Sequence, residues 1–382
     1  MNKVNLIDIC EFQGGSQPPK SEWIEKKTEG YIRMLQIRDY TQGHEKYIQY
    51  VKDASRLKKC KSNDILIARY GASIGKILTG LEGAYNVALM KTSPNKLLNR
   101  EYLYHYLKSS IFQNFIQSNG SRAAQAGFNK EDLSTIKINL PILDQQKQIA
   151  KTLDKANELI NLRKESITKL DELSKSIFID MFGDPLSNHI NWEKKKFVDV
   201  CSKVTDGTHH SPPMSMSGYK YITAKHIKEN RLNFEKDETY ISEEEHRKIF
   251  SRCNPVKGDV LYIKDGATTG IACINPLDEE FSLLSSVALI KPSNKIKSEY
   301  IVSYLNNPSV KNNILLNMAG GAIKRLTIKK IKDINIIIPP IELQNKFATI
   351  IEKIEQQKTL YTQELEKLQE NFDALLQKSF QE

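Results

Sequence analysis

The stretch IAKTLDKANELINLRKESITKLDELSKSI, residues 149–177, decides how this chain is read, because FATIIEKIEQQKTLYTQELEKLQENFDAL, residues 347–375, falls on it without a gap. The first carries Ile149, Leu153, Ala156, Ile160, Arg163, Ile167, Leu170, Ser174 and Ile177 at alternating steps of four and three. The second carries Phe347, Ile351, Ile354, Lys358, Tyr361, Leu365, Leu368, Phe372 and Leu375 in the same register. Such a sustained heptad describes a coiled-coil seam, where an ordinary surface helix would show a wider apolar face. The polar seam positions Arg163, Ser174 and Lys358 cost stability but fix register and pairing. Two equivalent halves of one chain tend to be related by an approximate two-fold axis. With that axis across the helix pair the helices run antiparallel, which also needs no long return connection.

The repeat extends outward from the helices. Residues 64–75 (DILIARYGASIG) match residues 259–270 (DVLYIKDGATTG), and Val87–Lys91 matches Val287–Lys291. Glu101-Tyr102 with Tyr106-Leu107 matches Glu299-Tyr300 with Tyr304-Leu305. The runs 136–141 and 334–339 both end in proline, and Gln146 falls on Gln344. Asp8–Cys10 matches Asp199–Cys201, each followed by a glycine turn. Short β-branched runs bounded by glycine predict strands at 64–68, 86–91, 259–263 and 286–291. Leucine and aromatic residues at helical spacing predict helices over 100–118 and 298–317. Extended geometry before Pro141 and Pro339 closes each half on a strand that then feeds its long helix. The first long helix, predicted over 145–182, stops at Gly183 with Pro185 behind it; the second runs from about 343. The fold class is therefore α+β: two similar mixed α/β domains, 1–141 and 184–339, joined by two long helices, 142–183 and 340–382, that pair as an antiparallel coiled coil with pseudo-two-fold symmetry.

Composition bounds the partners. The 382 residues are 40% hydrophobic and 27% charged, ordinary for a folded chain with two or three cores. A net charge of +10 and a pI near 9.1 point to a polyanionic partner. Residues 1–20 lack the apolar core of a signal peptide and no apolar run spans a bilayer, so the expected location is the cytoplasm. Five scattered cysteines without a CxxC pair argue against a disulfide framework, and neither they nor the seven histidines show zinc-ligand spacing. No metal site is expected.

Catalytic motifs are missing. Residues 71–76 (GASIGK) fall one residue short of a phosphate loop, Ile77 replaces its hydroxyl, and the matching stretch 266–271 lacks the lysine. A structural turn is the better reading. No GxGxxG follows a strand, and no compact nuclease triad appears. Pro339-Pro340 lacks the flanking residues with which amino-methyltransferases hold a base. The loop Thr208-His209-His210-Ser211-Pro212-Pro213 has two open readings, a proline-stiffened turn or a loop whose hydroxyl and imidazoles reach a ligand.

Taken together and in order, these features resemble the specificity subunit of type I restriction-modification systems across essentially the whole chain. The resemblance is carried by the two-repeat layout, the blocks at 64–75 and 259–270, and the helix starts Pro141-Gln146-Ile149-Ala150 and Pro339-Gln344-Phe347-Ala348. The exit Met181–Pro185 and the loop Asp206–His210 complete it. It implies that each repeat is a target recognition domain reading half of a split site in double-stranded DNA. The helices would set the gap and dock two modification subunits, with two restriction subunits joining them. S-adenosylmethionine, and ATP with magnesium, would belong to those partners, leaving this chain non-catalytic and without a cofactor.

Base edges are read by side chains from loops. The candidates are Ser16, Gln17, Arg33, Arg69, Tyr70, Arg122 and Gln125 in the first repeat. In the second they are Thr208, His209, His210, Lys225, Lys264, Thr268, Lys324 and Arg325. Each is equally open to being a solvated charge or a turn residue. Two rival classes stand beside this reading: a DNA methyltransferase or nuclease acting alone, and a coiled-coil scaffold indifferent to DNA sequence.

Overall fold

The structure is a computed structural model, and it describes residues 3–43, 45–120, 127–316 and 325–381. The chain forms two compact units, Met1–Lys164 with Gln363–Glu382, and Glu165–Thr362. Each unit thus takes the beginning of one long helix and the end of the other.

In the first unit Ile65–Ala68, buried at every position, lies inside a four-stranded antiparallel sheet ordered Cys10–Gly14, Leu89–Pro94, Ile65–Ala68, Ile77–Leu78. A continuous apolar run suits a strand covered on both faces. A second sheet holds Tyr50–Lys52, Tyr31–Leu35, Gly83–Tyr85 and Lys59–Cys60, with the central pair parallel. The second unit repeats the first sheet as Cys201–Asp206, Val287–Pro292, Val260–Ile263, Ala272–Ile274. It keeps the parallel pair as Tyr219–Ile222 with Ser282–Leu283.

The helical segments predicted over 100–118 and 298–317 are each two helices, Arg100–Lys108 with Ser110–Gly120, and Ser298–Asn306 with Pro308–Leu316. Ser109 and Asn307 break them, and Pro308 is tolerated because it opens the second helix, where its missing N–H has no partner to lose. Two tyrosines tie the first helix of each pair to the closing strand. Tyr102 and Tyr106 donate to the Asn139 and Lys137 carbonyls at 3.0 and 3.2 Å; Tyr300 and Tyr304 donate to Ile337 and Asn335 at 2.9 and 2.8 Å. The near-phosphate-loop is a single short turn, Gly71–Ser73, between two strands of the main sheet.

The long helices are Leu143–Phe182, 40 residues, and Ile341–Gln381, 41 residues. Within the first unit Arg163 Nη2 meets Glu364 Oε2 at 2.8 Å, and Asn139 Nδ2 donates to the Phe380 carbonyl at 3.4 Å. Within the second, Lys358 Nζ meets Asp171 Oδ1 at 2.6 Å, and the Phe178 and Phe182 rings lie 5.7 and 5.1 Å from Phe347. One number rises as the other falls, so the segments run antiparallel in each unit.

Leu153, Ile160, Phe347, Ile351, Ile354 and Phe372 are buried, while Ile149, Arg163, Ile167, Leu170, Ile177, Tyr361, Leu365 and Leu368 are half-buried. Leu375, assigned to the seam from its spacing, is 37% exposed and does not belong there. The stripe changes step before it: Phe372, Leu376 and Phe380 are buried at intervals of four, and Phe178 and Phe182 are buried at the same interval behind a half-buried Ser174. The reason is a change of neighbour. In its last turns each helix packs on a domain, with Phe380 5.0 Å from Tyr102 and Phe178 5.5 Å from Tyr300.

Candidate nucleic-acid interface

In both units the backbone makes the same junction beside the main sheet. The chain leaving the first strand passes so close to a neighbouring turn that a side chain is impossible there. A Cβ on Gly15 would stand 2.0 Å from the Asn86 carbonyl oxygen, and one on Gly207 1.9 Å from that of Leu283. The next residues donate across the gap, Ser16 N–H to Tyr85 at 2.9 Å and Thr208 N–H to Leu283 at 2.8 Å. A third segment joins at Arg69-Tyr70, whose N–H at Arg69 reaches Ala88, and at Lys264-Asp265, whose N–H at Lys264 reaches Ser286. The fourth re-enters by isolated bridges, Gly127 against Tyr70 and Arg325 against Asp265.

The frame is shared, but the side chains on it are not. In the first unit Arg69 Nε donates to the Phe128 carbonyl at 3.0 Å, and its guanidinium lies 5.1 Å from the centre of the Tyr70 ring. That ring covers residue 127, where a Cβ would come within 2.5 Å of it, so a side chain there would have to displace the ring. Tyr70 itself is 39% exposed, leaving an aromatic face with a stacked cation. In the second unit the same place is a charge network around two carboxylates. Asp206 lies 3.6 Å from Lys264 Nζ, 3.3 Å from His209 Nε2 and 3.4 Å from Arg252 Nη1. Asp265 takes Lys264 at 2.8 Å and Arg325 Nε at 3.2 Å, the latter a charge contact rather than an aligned hydrogen bond. A buried carboxylate such as Asp206 demands compensating partners, and the outer partners of the network, His209, Arg252 and Arg325, present more than half of their side chains to solvent.

The junction brings together Ser16, Arg69 and Tyr70 in one unit and Thr208, His209, Lys264 and Arg325 in the other. Gln17 is exposed on the loop that leaves it, and Thr268 is exposed on the turn beyond Asp265. His210 faces Glu245 at 3.4 Å, and Lys225 is paired with Asp237 at 2.7 Å. Three assignments need correction. Arg33 is a counter-ion, 2.8 Å from a fully enclosed Asp39. Lys264 is 5% exposed and neutralises Asp206 and Asp265 instead of reaching outward. Thr208 is 8% exposed, with its hydroxyl turned back to the His210 carbonyl at 3.2 Å. Arg122, Gln125 and Lys324 lie outside the described residues.

The family model for the type I restriction modification DNA specificity domain matches residues 1–172 and again 189–370, one copy on each half of the chain. The chain belongs to the type I restriction-modification specificity subunits. The MjaVIII specificity subunit of Methanocaldococcus jannaschii is 26% identical over 198 residues, 52% of this chain and 45% of that one. The MjaIX specificity subunit of the same organism is 24% identical, over 98% of this chain and 91% of that one. The crystal structure of a type I S subunit from M. genitalium shares the fold, with a TM-score of 0.57 at 16% identity, covering 99% and 96% of the two chains. A specificity subunit is the DNA-recognition component of its system and not the catalytic one.

In this specificity subunit Arg252 is a residue that no sequence signal marks. It follows the helix Glu243–Phe250, away from any repeated motif, yet its guanidinium donates to the Asp206 and Gly207 carbonyls and so braces the glycine turn. Arg38 and Lys46, 5.3 and 5.4 Å from the centre of the Tyr47 ring, form a second cation–aromatic group in the first unit that spacing alone did not mark. Among the described residues no helix is long and apolar enough to cross a membrane.

Proposed function

We propose that each unit reads one half of a bipartite site in double-stranded DNA through the junction beside its main sheet, and that the long helices set the gap between the halves. The carrying observation is the duplicated frame with exchanged side chains: Arg69 stacked on Tyr70 in one unit, and the exposed cations of the Asp206–Asp265 network in the other. One frame bearing two different surfaces suits two different words. Arginine offers the bidentate fork that guanine accepts, and the surrounding basic charge suits phosphates. Candidate base contacts are the outward residues Gln17, Arg69, Tyr70, His209, His210, Thr268 and Arg325, with Arg122, Gln125 and Lys324 retained on sequence grounds.

In the same reading the chain works in the cytoplasm with two modification subunits and two restriction subunits. S-adenosylmethionine, and ATP with magnesium, are assigned to those partners, and neither to this chain. The test is modular exchange. Replacing residues 1–141 by the equivalent domain of a relative, co-expressed with the modification subunit, should change one half of the methylated motif in genome-wide adenine-methylation sequencing and leave the other half intact. A change in both halves, or sustained methyl transfer by the purified chain alone, would overturn it.

A further inference from the structure

The two units serve as controls for one another, and at one place the second lacks what fills the first. In the first unit Phe372 and His105 are buried together with ring centroids 6.4 Å apart, and His105 Nε2 lies 2.7 Å from Asp154 on the long helix. The repeat puts Ser174 at the position of Phe372, Ser303 at that of His105 and Glu352 at that of Asp154. Where two rings and their carboxylate partner stand in one unit, two hydroxymethyl groups and an unmatched carboxylate stand in the other. Ser174, Ser303 and Glu352 accordingly line a groove of about 700 Å³ within the second unit. That volume lies inside the range of roughly 300–1,000 Å³ typical of ligand sites.

The lining states what would enter. Its floor is apolar where Val302, Ile274 and Ile351 lie. Of its three cations, Lys358 is paired with Asp171 and Glu355 and Lys257 with Asp278, which leaves Arg231. Of its four carboxylates, Glu299 and Glu352 meet no cation among the described residues. One carboxylate is therefore in surplus, enough for a single incoming positive charge, and the apolar floor suits a ring. In the first unit the corresponding space is filled by protein side chains, the Phe372 ring and the His105 imidazole beside Asp154.

We infer that this groove receives a segment of the modification subunit that inserts an aromatic side chain beside a basic one. The inference rests on the specificity-subunit reading above, and it implies that the two copies of the modification subunit are held unequally, the copy at the second unit more tightly. The test fills the groove as the first unit does, with the double variant Ser174→Phe, Ser303→His, and separately reverses its charge with Glu352→Lys at an exposed helix position. Binding of the modification subunit to the full chain is followed by native mass spectrometry. The wild type should show two steps of different affinity. Each variant should lose the tighter step, weakened roughly tenfold or more, the size of a lost interface anchor. The filled variant should melt no lower than the wild type. Two wild-type affinities retained in both variants overturn the groove assignment alone. Should the double variant fail to fold, Glu352→Lys decides by the same readout. A wild-type chain that binds no modification subunit overturns the groove assignment and the underlying functional reading together.

Discussion

His226 holds the start of a turn beside the parallel strand pair, accepting the Thr223 N–H at Nδ1 over 2.9 Å while Nε2 lies 2.8 Å from the Asp237 carbonyl. Because an N–H already points at Nδ1, the ring is neutral with its proton on Nε2. Burial, opposed by the Asp237 carbonyl, holds this imidazole below its usual range; burial likewise lowers His105 and His246. The unfolded chain takes up protons as pH falls through about 6.5, whereas the folded chain resists them. The stability these groups supply is thus complete above that pH and is lost on acidification. The melting temperature should fall between pH of about 7.5 and about 5.5, and His226→Asn, which keeps an acceptor for Thr223, should show a shallower fall. A wild-type melting curve indifferent to pH would contradict this. At this scale the sequence was legible for turns and illegible for partners. Gly15 and Gly207 read as turn residues, but the carbonyl that excludes a Cβ comes from a segment far along the chain. Arg33 and Lys264 read as surface cations because nothing local announces that Asp39, Asp206 and Asp265 are enclosed.

Each long helix is fastened at its start by one buried glutamine. Gln146 Nε2 donates to Leu97 and Pro141 at 2.9 and 2.8 Å, and its Oε1 accepts the Asn99 N–H at 2.7 Å. Gln344 makes the same three bonds, to Lys295, Pro339 and Lys297, at 3.4, 2.9 and 3.0 Å. Glutamate is isosteric but would aim an acceptor at two carbonyls. Gln344→Glu should therefore destabilise by about 2–4 kcal/mol at neutral pH, since each buried polar group left unsatisfied costs roughly 1–3 kcal/mol. Chemical denaturation checks it, and a variant within about 0.5 kcal/mol of the wild type would show the glutamine to be incidental. The helices, their antiparallel course and the repeat were readable because a heptad is a local periodic signal. The change of step at Phe178 and Leu376 was not. It answers to Tyr300 and Tyr102, which the heptad count does not see.

Both long helices pass unbroken from one compact unit into the other, at residues 164–165 and 362–363. If they gauge the gap between half-sites, a heptad inserted near residue 163 with a matched one near residue 361 keeps the seam and adds roughly 10.5 Å. That length corresponds to about three base pairs of duplex. Methylation sequencing should show a motif with both halves unchanged and a wider gap, while a two-residue insertion turns the seam away and impairs assembly. An unchanged gap after a well-tolerated heptad would place the ruler elsewhere. The duplicated plan was legible across the whole chain. The words it reads were not, because they depend on which side chains of a common frame face outward.

The order of synthesis gives the borrowed helix ends a further meaning. Domains generally fold as units, the N-terminal one first, while the chain is still being made. Here the earlier domain is the later to be finished, because Asn139 bonds to the Phe380 carbonyl across 241 positions, and Phe372, Leu376 and Phe380 complete its core. Until those residues emerge from the ribosome, the apolar surface around Tyr102 and Tyr106 stands open. A frameshift or stop codon just ahead of the codons for Phe372 to Phe380 would therefore injure the half of the protein that was translated first.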